Sequence, residues 1–590
     1  MNLEKIATEL APVHNEDTTR RPSLGWFAVH AVALLVALCA LIPLVDNDEF
    51  AIPDEGLYAA QADNLAHGSW AQPRPTAAID EEGNWFVLSG SIIVGDNAIP
   101  YARRPLYPFV LTPFWSIGGV AGSMVLSVLG TWIAACASSA IGCTFNRRTA
   151  LPSLWLVGLG TPLLFDAYLA VGHSIGAAFA ALAALGVLRC QQSRAPFSTQ
   201  WFGWLALGGI GAAAAVMFRS EGVIYVVALG SMALLVAALR RRRPTPQRSA
   251  DAVAGIGLVV IATAAYAMNY MWSSSIAQGA PGDSTISARQ PDFLNAAWTG
   301  LARPWYPDNT AASAAMTLVL LTAVAAPLVY RFLPRFKVLA TGLIVLGAIS
   351  AAWNTVSSPR LISGLLPTVP WIVIGLLSIR RRDVARVGPV VILLSTGVFV
   401  LGVLATSYGF GGAAEWGGRF FHLAIPAIGP VAVLGLIALR APLPHTIGRI
   451  ALAAIVVTTA SLSLSALRAN QQLRTETRQL VDVAAQAATG VAESGARVLA
   501  TTSADGTPRL LWRERSERSP LLTADGLTNL AGLLNGLPPE ITRVDVLTNS
   551  ADSSRLDPLL QHAPRKKWSV SDHRLEPDAG LAVFTLERTD

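Results

Sequence analysis

Up to about residue 466, apolar residues fall in long blocks separated by short polar turns. The blocks lack the polar face a soluble helix keeps, and a bilayer-spanning helix needs about 20 mostly apolar residues. Runs at roughly 25–45, 121–145, 150–165, 174–188, 201–218, 222–239, 251–271, 311–330, 338–352, 361–379, 387–407, 423–439 and 450–466 predict thirteen spans. The first is read as a span and not a signal peptide, because it starts some 25 residues in and no small-residue cleavage site follows it. Beyond 467 the blocks give way to a mixed pattern. A helix is expected near 468–489, strands at 497–503, 541–548 and 580–587, and helices near 523–536 and 553–562. Strands alternating with helices indicate a small α/β domain. No Gly-rich loop sits at a strand–helix junction, so a nucleotide site is not expected there.

The expected fold is therefore an α-helical polytopic membrane protein of about 13 transmembrane helices with a small C-terminal α/β soluble domain. Its parts are a cytoplasmic segment 1–24, a membrane domain 25–466 with a large outer loop at 46–120, and an outer-face domain 467–590. Composition agrees: 52% of the 590 residues are hydrophobic and 14% charged, against about 25% charged in soluble domains. Four cysteines, all in or beside apolar segments and without metal-ligand spacing, exclude a disulfide scaffold.

Charge orients the chain. With a cytoplasmic N-terminus, the cytoplasmic segments before residue 467 hold 21 Lys and Arg and the outer loops 8, the asymmetry of a plasma (inner) membrane protein. The net charge of +6 is thus a topology signal, and nucleic acid is not an expected partner; the lipid bilayer is.

The charges that resist this trend carry the chemistry. Asp54 and Glu55 follow the first span in an amphipathic pattern with Tyr58, Ala62 and Leu65 on one face, ending at Gly68. Simple helix capping would also favour acids there. Arg103 and Arg104 head an aromatic, Pro-broken segment, 101–119, that reads as an interfacial helix; snorkelling to lipid phosphate is the plainer account. Asp166 and His173 fall at the outer end of a helical hairpin, and Arg219 and Glu221 in another outer turn, where local pairing would explain them. Glu415, Trp416 and Arg419 lie in EWGGRFFH, where an arginine enters the hydrocarbon edge at a cost of a few kcal/mol unless paired or functional. Arg103, Arg104, Arg219 and Arg419 are candidate donor-phosphate ligands, Asp54 and Glu55 candidate catalytic carboxylates, and Tyr58, Asp166, His173, Glu415 and Trp416 candidate substrate contacts. Glycosyl transfer from a lipid phosphate needs one base for the acceptor hydroxyl and cations for the departing phosphate, which these residues supply.

Asp54-Glu55 with Tyr58, Ala62 and Gly68, the Arg104-Pro105-Leu106 stretch, the WGGRFF segment and the thirteen-span layout resemble the GT-C superfamily of polyprenyl-phosphate-sugar glycosyltransferases. The likeness is to the branch of protein O-mannosyltransferases and lipid A aminoarabinose transferase, in a bacterial form. It implies an inverting membrane enzyme with a polyprenyl-phosphate-linked sugar as donor and a glycan, lipid or protein as acceptor. Asp54 is then the general base or acceptor-positioning residue and Glu55 its support. The family usually has Lys where Arg104 stands, and some members bind a divalent cation beside the acidic motif; the sequence leaves the metal open. Two other readings stay on the table: a transporter or flippase of lipid-linked sugar, and a non-catalytic envelope-assembly protein docking through its tail. No internal repeat supports the first.

Overall fold

The computed structural model describes residues 24–45, 48–88, 90–239, 244–277, 292–304, 310–357, 361–380, 387–406, 416–441, 443–489, 497–502, 507–512, 521–524, 527–550, 567–576 and 580–589. Among them are eleven helices long and apolar enough to cross a membrane. They include α1 (Leu24–Leu41), and their outward faces carry exposed apolar side chains such as Val32, Ile256 and Ile349, as contact with lipid tails requires. Two of the thirteen predicted spans differ. The run at 150–165 is a ten-residue helix, Ala150–Leu159, broken at Gly160 before Leu163–Asp166; the run at 361–379 is split into Leu365–Thr368 and Pro370–Ser378. Ten helical residues rise about 15 Å, half the hydrocarbon thickness, so these passages cross in pieces. Gly and Pro at the breaks are the cause.

After α1 the chain forms α2 (Pro53–Ala66), which lies along one end of the bundle, and a small antiparallel sheet of Gln72–Pro73, Ile92–Val94 and Asn97–Ile99, which the sequence pattern does not predict. The expected interfacial helix then starts at Leu106 and continues into the span as α3 (Leu106–Phe145). At about 60 Å this is twice too long for one straight crossing. Gly119, at φ 55° and ψ −132°, breaks it there, so 106–118 lies against α2 while the remainder crosses. α3 therefore runs from the α2 end of the bundle to the end bearing Arg147 and Arg148. The late helix α4 (Ile425–Arg440) runs the same way, from His422 to Arg440.

The predicted span 450–466 and helix 468–489 are one continuous helix, α5 (His445–Thr489), of 45 residues. It leads into a five-stranded sheet built from β1 (Arg497–Thr501), β2 (Leu521–Thr523), β3 (Arg543–Asn549), β4 (Lys567–Glu576) and β5 (Leu581–Thr589), in the order β2-β1-β3-β5-β4. β1 pairs in parallel with β2 and β3; β5 pairs antiparallel with β3 and β4. The helix expected near 523–536 is α6 (Leu527–Gly536); strands β2, just before it, and β4 are not predicted by the pattern. The helix expected at 553–562 lies outside the described residues. The sheet is tied to the α2 end: Thr523 N–H donates to the Trp85 carbonyl at 2.8 Å.

Candidate functional site

Pro53 sets the first turn of α2, where a missing N–H costs nothing. The two acids behind it point different ways, because successive residues on a helix are about 100° apart. Glu55 turns inward and is fully buried. Its Oε2 accepts from Ala51 N–H at 2.6 Å and Ile52 N–H at 3.1 Å, its Oε1 from Ala170 N–H at 2.7 Å and from Arg474 Nη2 at 3.3 Å. Arg474, on α5, is itself fully buried and also donates to the carbonyls of Glu49 and Tyr168 and to Asn470 Oδ1. Glu55, expected in a catalytic role beside its neighbour, is thus part of an enclosed joint between α2, the 163–172 turn and α5.

Asp54 faces the other way, with 35% of its side chain exposed. Arg419 Nη1 donates to its Oδ2 at 3.2 Å and Arg509 Nη1 to its Oδ1 at 3.3 Å. Arg419 is aimed by a tight turn. Gly417 and Gly418 both have left-handed φ, 71° and 65°, and a Cβ on Gly418 would stand 2.2 Å from the Gly300 carbonyl oxygen; only glycine fits. Below the turn, His422 Nε2–H donates to the Gly417 carbonyl at 2.9 Å while Nδ1 faces Asp166 Oδ2 at 2.5 Å. His173 Nδ1 is 3.9 Å from the other Asp166 oxygen. Asp166, His173 and His422 are all buried, so Asp166 and His173 brace the arginine turn from beneath and do not line an open surface. Trp416, a candidate substrate contact, is also buried, stacked on Phe165 with centroids 6.2 Å apart. Glu415 lies outside the described residues.

Tyr58, one turn along α2, is buried between the rings of Tyr101 and Tyr107 at 4.6 and 4.9 Å. Burial, then neighbouring Tyr101 and Asp54, push its phenol well above its ordinary pKa, against the opposing pull of Arg219; burial raises Tyr101 as well. Both stay protonated. Arg103 and Arg104 lie within electrostatic reach of Tyr101. Arg103 is exposed and its carbonyl accepts from Asn269 Nδ2 at 3.1 Å. Arg104 is half-buried, with no side-chain partner among the described residues. Arg219 makes two bonds to Glu221, at 3.0 and 3.2 Å, the local pairing its spacing allowed.

The candidates thus gather at one end of the bundle: Arg103, Arg104, Arg219, Arg419 and the unexpected Arg509 stand near Asp54, the partly exposed carboxylate, while Glu55, Asp166 and Glu221 are buried. Such an excess of guanidinium suits an anion. It does not suit a divalent cation: Asp54 is held between two arginines, and among the described residues no three His, Cys, Asp or Glu side chains converge as a ligand set. Beside Arg509, a cleft of about 210 Å³ opens between the first loop and the sheet, lined by Asn84, Trp85, Ser91, Thr523 and Asn529 among others. Gly90 links the two, since a Cβ there would stand 3.4 Å from Arg509 Nη2.

No protein-family profile matches the sequence, and no curated protein does. Solved structures do. ArnT from Cupriavidus metallidurans bound to undecaprenyl phosphate superposes with a TM-score of 0.50 at 15% identity, covering 95% of this chain and 98% of that one. Its apo form gives 0.50 at 14%, covering 96% and 98%. The Archaeoglobus fulgidus oligosaccharyltransferase in complex with Zn and sulfate gives 0.50 at 12%, covering 89% of this chain and 68% of that one. At these identities the likeness is one of fold, extending over nearly the whole chain and its eleven long apolar helices.

Proposed function

We propose that this protein is a membrane glycosyltransferase, which moves a sugar from a polyprenyl-phosphate donor to a hydroxyl of a glycan, lipid or protein acceptor. The observation that carries the reading is the Asp54 carboxylate, partly open to solvent and held at 3.2 and 3.3 Å by Arg419 and Arg509 at the membrane end of a GT-C-type bundle. Undecaprenyl phosphate bound to the structurally similar ArnT supports a lipid phosphate as the donor's leaving group. The site lies at the outer face of the plasma membrane, with the N-terminus cytoplasmic, as the distribution of basic residues favours.

In the proposed reaction the acceptor oxygen bonds to the sugar's anomeric carbon as the bond from that carbon to the phosphate oxygen breaks. The acceptor proton passes to Asp54, and the electron pair leaves with the polyprenyl phosphate, whose charge Arg104 and Arg419 compensate. Phosphate is a weak base, so no strong acid is needed, and a single displacement inverts the anomeric centre. Glu55 acts through α2, fixing the direction in which Asp54 points. The Asp166–His422 contact acts likewise through the Arg419 turn.

Purified protein assayed with a radiolabelled polyprenyl-phosphate sugar and membrane acceptor tests this directly. Asp54→Asn is expected to lower transfer by about 10²–10⁴-fold with an unchanged melting temperature. Transfer by that variant at the wild-type rate removes Asp54 as the base.

A further inference from the structure

Glu55, Glu221 and Asp54 are each paired with arginine at this end of the bundle, and the pairings are not alike. Arg474–Glu55 is fully buried, and Arg219–Glu221 is nearly so and joined by two bonds. The pairs on Asp54 are different. Each arginine reaches it through one Nη1, at 3.2 and 3.3 Å, beyond the roughly 2.7–2.9 Å of tight charge-assisted bonds. The partners are 23%, 22% and 35% exposed. A loose pair of this kind contributes little to stability, yet two separate parts of the chain are placed with care to make it. The Arg419 turn needs two left-handed glycines. The 507–512 segment that carries Arg509 is docked on α2: Leu510, Leu511 and Trp512 are buried, Trp512 lies 6.4 Å from Trp115, and the Arg509 carbonyl sits where a Cβ on Gly56 would be 2.1 Å away.

We infer that Arg509 and Arg419 form a phosphate clamp shared between the soluble domain and the membrane domain, with Asp54 occupying it until a phosphate displaces the carboxylate. The tail is then a part of the site and not a cap over it. A phosphate presents oxygens to two guanidiniums at once, and as a monoester it also carries more charge than a carboxylate, so it competes well for them. Its arrival frees Asp54 at the moment a donor is in place. The exchange itself needs only an anion; its use in releasing a base rests on the glycosyltransferase reading. The phosphate of a lipid carrier and free inorganic phosphate share the required chemistry.

The test is equilibrium binding of undecaprenyl phosphate, and separately of inorganic phosphate, to the purified full-length protein, to Asp54→Asn, to Arg509→Gln and to the double variant, each checked for folding by its melting temperature. Removing the competitor in Asp54→Asn is expected to tighten undecaprenyl phosphate binding about tenfold, and Arg509→Gln to weaken it about tenfold. In the double variant the gain from Asp54→Asn is expected to shrink to about threefold or less, because the two residues are coupled. If Arg509 only tethers the tail, Arg509→Gln binds like wild type and Asp54→Asn gains equally with either residue at 509; that result overturns the clamp. The same pattern with inorganic phosphate assigns recognition to the bare phosphate, and the pattern with the lipid alone assigns it to the carrier; neither probe showing it overturns the proposal. Loss of sugar transfer is not among these readouts, so the clamp can stand if the enzymatic reading fails, and the converse.

Discussion

Asp54 and Glu55 are adjacent, chemically equivalent and reached by different arginines, and the molecule gives them opposite fates. Glu55 is sealed by three backbone N–H groups and Arg474; Asp54 is open and held only by long contacts to Arg419 and Arg509. A rotation of about 100° along the helix separates a sealed carboxylate from an open one.

That contrast can be broken at Glu55 first. Glu55→Ala leaves Arg474 buried without its carboxylate, and breaking a buried pair costs about 3–5 kcal/mol. A large drop in thermal stability is expected, measured by detergent-solubilised melting, while Asp54→Ala is expected within about 1 kcal/mol of wild type. Equal effects would erase the distinction. A smaller effect is expected at Gly56→Val, whose added carbons meet the Arg509 carbonyl and must push the 507–512 segment away. Transfer should fall about tenfold, with the membrane helices intact by circular dichroism. The smallest is at Tyr58. Its pKa is raised above the usual 10.0, so the stability it contributes is complete below pH 10 and is lost as pH rises through the shifted value. Tyr58→Phe is expected to flatten the alkaline limb of a melting-temperature profile and leave the neutral region unchanged.

The membrane fold was legible because hydrocarbon tolerates few alternatives: apolar blocks and basic turns leave one arrangement open. The same cost made Asp54 and Arg419 conspicuous, since charge beside a span demands a reason. Where the bilayer's penalty stops, legibility stops. Arg509 lies in a polar stretch rich in arginine, where nothing marks one guanidinium from the next. Strand β4, KWSVSDHRLE, carries its polar residues at the sheet edge and shows no clean alternation. Trp416, a candidate substrate contact by its place in the loop, is hidden for another reason: its burial depends on Phe165, some 250 residues earlier in the chain, and a sequence does not display such contacts.

The helix α5 passes from the membrane into the tail without a joint, 45 residues or about 68 Å of rod, bolted partway along by Arg474. A tail carried on such a rod does not swing like a tethered bead. Pinned there and again where Thr523 meets Trp85, it works as a ruler that keeps the cleft beside Arg509 at one level relative to α2.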